Sequence, residues 1–263
     1  MSAADDSPLQ ALEERAFNAW PARQTVFFEG WVMRLSDGFT KRANSVNAGA
    51  PGLRFDGVQQ AAEALYGSQS LPAVFRLSPL APADADRRLE AAGYTFFDPS
   101  WVARAALDAA VPDTAVGIAA APDQAWLDGF AQANGVPPSR HAVHHAMVRS
   151  IALPCGFATL HDQGEPVGFA LAVLERGAVG FYDVVVAPRR RGQGLGRRLM
   201  LALMHWGASQ GAAWGYLQVR QENEAARRLY AALGFADVYR YHYRMPPAAS
   251  VKMPGSATGN HTA

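Results

Sequence analysis

An apolar strand that runs into a glycine-rich turn and then a helix constrains this chain more than any other stretch. Phe181-Tyr182-Asp183-Val184-Val185-Val186 is rich in β-branched and aromatic residues and reads as a strand. Pro188 blocks further pairing. Arg191-Gly192-Gln193-Gly194-Leu195-Gly196 then leads into a helix expected from Leu195 to Ser209, with Leu195, Leu199, Ala202, Leu203 and Trp206 on one apolar stripe. Glycine at alternate positions lets the backbone turn tightly and brings amide N–H groups to an anion without Cβ interference. The partial positive charge of the helix N-terminus adds to the attraction. Strand, turn and helix together form a pyrophosphate cradle.

The spacing narrows the ligand. A P-loop needs lysine and a hydroxyl after its last glycine, and Arg197 and Arg198 stand there instead. A dinucleotide-binding turn needs Gly-x-Gly-x-x-Gly and an acid roughly twenty positions on, and residues 214–218 contain no acid. Arg191-x-x-Gly194-x-Gly196 resembles the Arg-x-x-Gly-x-Gly turn of the Gcn5-related N-acetyltransferase (GNAT) superfamily. Downstream, Leu217-Gln218-Val219 reads as a short strand, Asn223 to Tyr230 as a helix ended by Gly234, and Phe235 to Met245 as a long strand. The anchors Leu217, Val219, Asn223, Ala226, Leu229, Tyr230, Leu233, Gly234 and Phe235 are similar to that superfamily's second signature. The likeness covers roughly residues 113–246.

The resemblance implies an acetyl-CoA-dependent N-acetyltransferase with no metal. Main-chain groups of Val184, Val185 and Val186 would face the pantetheine arm, one N–H polarising the thioester carbonyl. Arg191, Gly192, Gln193, Gly194, Leu195, Gly196 and Arg197 would hold the diphosphate. Asn223 would contact the arm, and Tyr230 would protonate the departing sulfur as general acid. Asn223 and Tyr230 lie on one helix face. By their residue types alone, Tyr230 could equally pack on the sheet and Asn223 could equally cap the helix. Where ribosomal-protein acetyltransferases of the superfamily carry a glutamate, this chain has Gln218, which cannot usefully accept a proton. Asp183 and Glu175 are the candidate bases, acting through water, with His144 and His145 as further candidates.

Five arginines in ten residues (Arg189, Arg190, Arg191, Arg197, Arg198) exceed what a diphosphate needs. Two or three are expected to meet the coenzyme's phosphates and the rest to face water; a nucleic-acid patch is the other reading. A formal net charge of +1 argues against nucleic acid, whose binders spread positive charge more widely. The lone Cys155 excludes an intrachain disulfide. The N-terminus has no basic and apolar run, and no window reaches membrane-spanning length, so a cytoplasmic protein with no membrane partner is expected. Its partner would be a small-molecule or peptide amine, and its state a monomer or homodimer. A catalytically silent acyl-CoA-binding regulatory module is the alternative.

The expected fold class is α+β (mixed α/β), a GNAT fold with a twisted, mostly antiparallel central sheet flanked by helices, in two GNAT-like units in tandem. Their expected limits are 1–110 and 111–247, with a linker over 108–122 and a disordered tail over 248–263. In the second unit, helices are expected at 122–134 and 140–151 and strands at about 155–161, 166–175 and 178–187. In the first, Arg87-Arg88-Leu89-Glu90-Ala91-Ala92-Gly93-Tyr94 echoes Arg227 to Phe235, less one residue, which puts Glu90 at the tyrosine position. A helix over 57–66 and a strand over 72–77 precede it. Phe28–Leu35 and Phe39–Val46 read as a hairpin through Ser36-Asp37-Gly38. Strict alternation sets Thr40, Arg42 and Asn44 on one face, either lining an acceptor pocket or cementing an interdomain contact. The first unit lacks the glycine turn and is expected to have lost acetyl-CoA binding; an unrelated α+β domain is the other reading.

Overall fold

The structure, a computed structural model, describes residues 8–107 and 113–247. The expected tail lies outside these residues. Contacts divide the chain into two compact units. One is built from the residues up to Ser100 together with those from Tyr239 on, the other from Trp101–Val238.

In the first unit, α1 (Pro8–Ala19) precedes a meander of β1 (Gln24–Phe28), β2 (Trp31–Leu35) and β3 (Val46–Ala48). Helix α2 (Val58–Ser68) then crosses to β4 (Phe75–Leu77), which lies parallel to β3, and α3 (Ala83–Ala91) leads into β5 (Thr95–Ala106). The core gathers Trp31, Met33, Phe55, Tyr66, Phe75, Leu89 and Tyr94. The last strand of the fold, β11 (Ala236–Met245), completes this unit. Its His242, Tyr243 and Arg244 pair antiparallel with Leu77, Arg76 and Phe75. The contacts thus divide the chain at Ser100 and Val238, where the sequence places one boundary at 110/111. A pairing between segments so far apart leaves no local trace in either.

The expected hairpin through Ser36-Asp37-Gly38 is corrected. Strand β2 turns back onto β1 at Glu29-Gly30, with Trp31 opposite Phe28, and residues 36–45 form a loop. Asn44 is the cause. Its Oδ1 accepts from the Ser36 and Gly38 N–H groups, and its Nδ2 donates to the Phe39 and Thr40 carbonyls. Those are backbone groups that a strand would have needed. Thr40 accepts from the Trp20 indole, and the Arg42 carbonyl accepts from buried Arg34. These three residues therefore do not share a strand face. Buried Glu13 on α1 forms a two-oxygen ion pair with buried Arg76 on β4 and accepts from the Tyr239 hydroxyl.

The second unit runs β6 (Val116–Ala119), α4 (Gln124–Asn134), α5 (Pro138–Arg149), β7 (Cys155–Asp162), β8 (Glu165–Glu175) and β9 (Ala178–Val186). It continues through α6 (Leu195–Ser209), β10 (Trp214–Arg220) and α7 (Glu224–Ala232). Strands β6 to β9 are antiparallel neighbours, and β10 lies parallel to β9. Strand β6 falls inside the expected linker. It is a short edge strand in an Ala- and Pro-rich stretch, and β7 supplies its pairing. Helix α6 has the expected bounds and buries Leu195, Leu199, Met200, Leu203 and Met204 in this unit's core, and Ala202 is buried as well.

Helices α3 and α7 end alike, which corrects the register of the echo. Gly93 N–H donates to the Glu90 carbonyl and Tyr94 N–H to Leu89; Gly234 N–H donates to Ala231 and Phe235 N–H to Tyr230. The residue that matches Tyr230 is therefore Leu89, fully buried, and not Glu90.

Candidate active site

Strand β9 separates from β10 where the chemistry is expected. Their parallel pairing runs from Ala178 opposite Trp214 to Phe181 opposite Leu217 and stops there, although both strands continue. Beyond it Val184, Val185 and Val186 are held on one side only, by β8, with Val185 opposite Phe169 and Val186 opposite Gly168. Main-chain groups on the open side are left for something other than a strand.

The glycine turn closes one end of that opening. Gly192 and Gly194 both have φ of +75°, and a Cβ built on either meets nothing within 4 Å. Gly194 is the N-cap of α6 and has no side chain to satisfy the first-turn amides. Those N–H groups, with the helix dipole behind them, suit an anion. Arg191 donates Nε to the Val186 carbonyl at 3.0 Å, which fixes the side chain beside the turn. Arg190 is committed to Asp162, and Arg198 grips Asp113 with bonds of 2.7 and 3.0 Å. Arg189, Arg191 and Arg197 are exposed.

A cavity of about 380 Å³ joins the turn to α7. Its walls include Val184, Val185, Val186, Gly192, Gly194 and Tyr230. Arg191, Leu195, Gly196, Arg197 and Asn223 also line it, so of the expected coenzyme residues only Gln193 does not. Ala225, Ala226 and Leu229 are walls that sequence reasoning did not single out as site residues. Their signal was the pair of alanines just after the Asn223 cap and an apolar residue one turn on. Asn223 accepts from the Ala226 N–H at 3.2 Å and so caps α7. That use occupies the amide oxygen and leaves the NH₂ group to meet a ligand. Buried Tyr230 packs edge-on to Phe235 at 6.0 Å. Open glycines, uncapped amides, arginines and an apolar channel fit an acyl-CoA, whose diphosphate would lie at α6 and whose arm would follow β9.

The candidate bases are not gathered there. Glu175 is opposite Ala178 at the far end of the β8–β9 hairpin. Val184 is six residues further along β9, about 20 Å at roughly 3.3 Å per residue. The structure therefore does not bring Glu175 to the cavity, and Arg176 pairs with it at 3.1 Å. Asp183 sits beside Val184 but its carboxylate meets His144 Nε2 at 2.8 Å. His145 lies next to His141 and His144 and does not line the cavity. Burial holds its imidazole pKa below the usual value, and neighbouring His144 adds to this. Gln218 is buried on β10. Cys155 starts β7, and burial pushes its thiol up to about 11, so it is not a thiolate nucleophile near neutrality. Among the described residues no group of three or more His, Cys, Asp or Glu could hold a metal ion, and no helix is long and apolar enough to cross a membrane.

Strand β9, split from its parallel neighbour and followed by a glycine turn at a helix N-terminus, lies in a fold shared with the GNAT acetyltransferases, enzymes that use acetyl-CoA. This chain has that fold. More narrowly, residues 6–244 match the family described as "Probable histone acetyltransferase Rv0428c C-terminal", and the chain belongs to that family. It is 30% identical over 244 residues to the "Uncharacterized N-acetyltransferase YobR" of Bacillus subtilis, covering 90% of this chain and 98% of that one. Among solved structures it resembles a GCN5-related N-acetyltransferase from Kribbella flavida, with a TM-score of 0.68 at 17% identity over 95% of this chain and 100% of that one. It also resembles a tandem GNAT protein from the clavulanic acid biosynthesis pathway, with a TM-score of 0.57 at 15% identity, over 89% of this chain and 86% of that one.

Proposed function

We propose that the second unit transfers an acetyl group from acetyl-CoA to a primary amine of a small molecule or peptide by direct attack. The observation that carries this reading is one cavity that runs from the glycine turn to the buried Tyr230. The α6 amides with Arg191 and Arg197 hold the diphosphate, and Asn223 meets the arm. The backbone of Val184–Val186 orients the arm, and one N–H there stabilises the carbonyl oxygen as charge develops on it. The neutral amine attacks the thioester carbonyl carbon, a C–N bond forms and the C–S bond breaks. Tyr230 gives its proton to the departing sulfur, and the attacking nitrogen gives its own to water. With Glu175 remote and Asp183 held by His144, no carboxylate on this chain is assigned as base.

The first unit is a second, degenerate GNAT-like unit on this reading. It repeats the order of a meander, a crossing helix, a parallel strand and a second helix. Three of its residues account for the loss of the site. Aligned on the two helix N-caps in left-handed conformation, Gly57 and Gly194, the position of open Gly192 is taken by buried Phe55. Pro82, without a side-chain donor, stands at the cap held by Asn223, and Leu89 matches Tyr230.

Calorimetric titration with acetyl-CoA, followed by thiol release across a panel of amines, tests the proposal. Binding followed by amine-dependent release supports it. A second reading, a regulatory module that binds acyl-CoA without turnover, is favoured by Gln218 where a carboxylate would be expected. It predicts binding with no release from any amine.

A further inference from the structure

Asp183 is where the strand facing the cavity changes phase. Phe169 of β8 pairs with Val185 while Leu171 pairs with Tyr182, so Asp183 and Val184 together oppose Ala170. Two residues against one is a β-bulge. Upstream, Val179 and Phe181 belong to the core beneath α6; downstream, Val184 and Val186 pack against that same core. Side chains alternate along a strand, so this switch from odd to even positions requires the extra residue. Without it Asp183 would enter an apolar core, and Val184 and Val186 would turn away from the N-terminus of α6.

The bulge holds Asp183 at φ of +52°, a left-handed conformation that residues with a Cβ adopt at a cost. His144 of α5 stands against it on the other face of the sheet. Its Nε2 lies 2.8 Å from Asp183 Oδ2, with side-chain exposures of 1% and 10%. The imidazole is itself fixed, stacked on Phe130 of α4 at 4.6 Å and flanked by Trp126. Trp126 in turn donates to the Ala158 carbonyl of β7. A bulge that could relax is thus tied to a packed pair of helices.

We propose that His144 is a positioning residue for acetyl transfer: its bond to Asp183 locks the bulge that turns Val184–Val186 toward the coenzyme's arm. This rests on the assignment of those three residues to the arm made under the proposed function. Asp183 and His144 then act on backbone geometry and not as proton acceptors.

Three variants of the full chain test it. His144→Phe keeps the stack on Phe130 and removes the bond, and His144→Gln restores a donor. Asp183→Asn keeps an acceptor and tolerates the left-handed backbone but cannot take up a proton. Hydrogen exchange without coenzyme should show protection of the Val184–Val186 segment falling about tenfold in His144→Phe and largely returning in His144→Gln. The acetyl-CoA Kd should rise about tenfold in the first and recover in the second. Asp183→Asn should keep protection, and kcat within about threefold of the parent. Unchanged exchange in His144→Phe overturns the proposal. So does loss of kcat in Asp183→Asn with exchange and Kd intact, because the carboxylate would then be the base. If His144→Phe does not fold, a His144→Gln variant with parental exchange supports the latch, and one as unprotected as an open strand overturns it. No acetyl-CoA heat from the parent protein would sink the coenzyme assignment instead, and the exchange data would still judge the latch.

Discussion

Tyr230 and Leu89 occupy matching places in helices that end with the same hydrogen bonds, and of the two only Tyr230 carries a hydroxyl. If that hydroxyl protonates the leaving thiolate, Tyr230→Phe should lower kcat by about 10²–10³ in a thiol-release assay, with the acetyl-CoA Kd unchanged. A fall in affinity with kcat preserved would assign Tyr230 to packing instead. The sequence made Tyr230 legible because eight further anchors stand around it at fixed spacing. Its counterpart was misread by one position, since an echo with a gap can slide and only the helix-end bonds fix it. A second residue-scale test concerns Asp86. Burial raises its carboxyl pKa, but bonds from Arg244 and His242 outweigh this and hold it below the ordinary carboxylate range. A carboxyl with a lowered folded-state pKa stabilises above its unfolded value, about 3.9, and that stability is lost as pH falls through the folded value. Acid-side loss of Tm should therefore be flatter in Asp86→Asn than in the parent below about pH 4.

At the scale of elements, helix α6 and the turn before it were readable to the residue. A stripe of apolar side chains, a proline ahead and glycines at its start are all local signals. Gly194 also makes the sharpest prediction for an element. At φ of +75° a β-branched side chain is strained by roughly 1–2 kcal/mol and would stand over the first-turn amides. Gly194→Val should raise the acetyl-CoA Kd at least about tenfold by calorimetry and lower Tm by a few degrees, on the order of 2–4 °C per kcal/mol. Elements that draw their stability from partners were harder to read. Helix α1 carries Glu13 on its buried face, which breaks the apolar pattern until Arg76 is seen opposite. The loop over 36–45 alternates like a strand, but one asparagine satisfies its backbone.

For the molecule as a whole, the last strand is the decisive piece. Residues from Tyr239 on belong with the first unit, where β11 pairs with β4 and Tyr239 meets the Glu13–Arg76 pair. Ending the chain at Val238 should therefore unfold the first unit, seen as loss of its exchange protection by mass spectrometry. A truncated protein with that protection intact would refute the claim. Glu13→Ala should show part of the same effect. Removing one partner of a buried ion pair leaves an uncompensated charge and costs about 3–5 kcal/mol. Denaturant unfolding would measure it.

The sequence by itself determined the glycine turn, the helix it opens, the helix that brings Asn223 and Tyr230 to one cavity and the acetyltransferase family, because each is written in residues close together along the chain. Only the tertiary structure decided that Asp183 leans on His144, that Glu175 stands a hairpin's length away, and that the C-terminal strand completes the N-terminal unit. Those outcomes depend on which segments meet across space, and short-range periodicity carries no record of that.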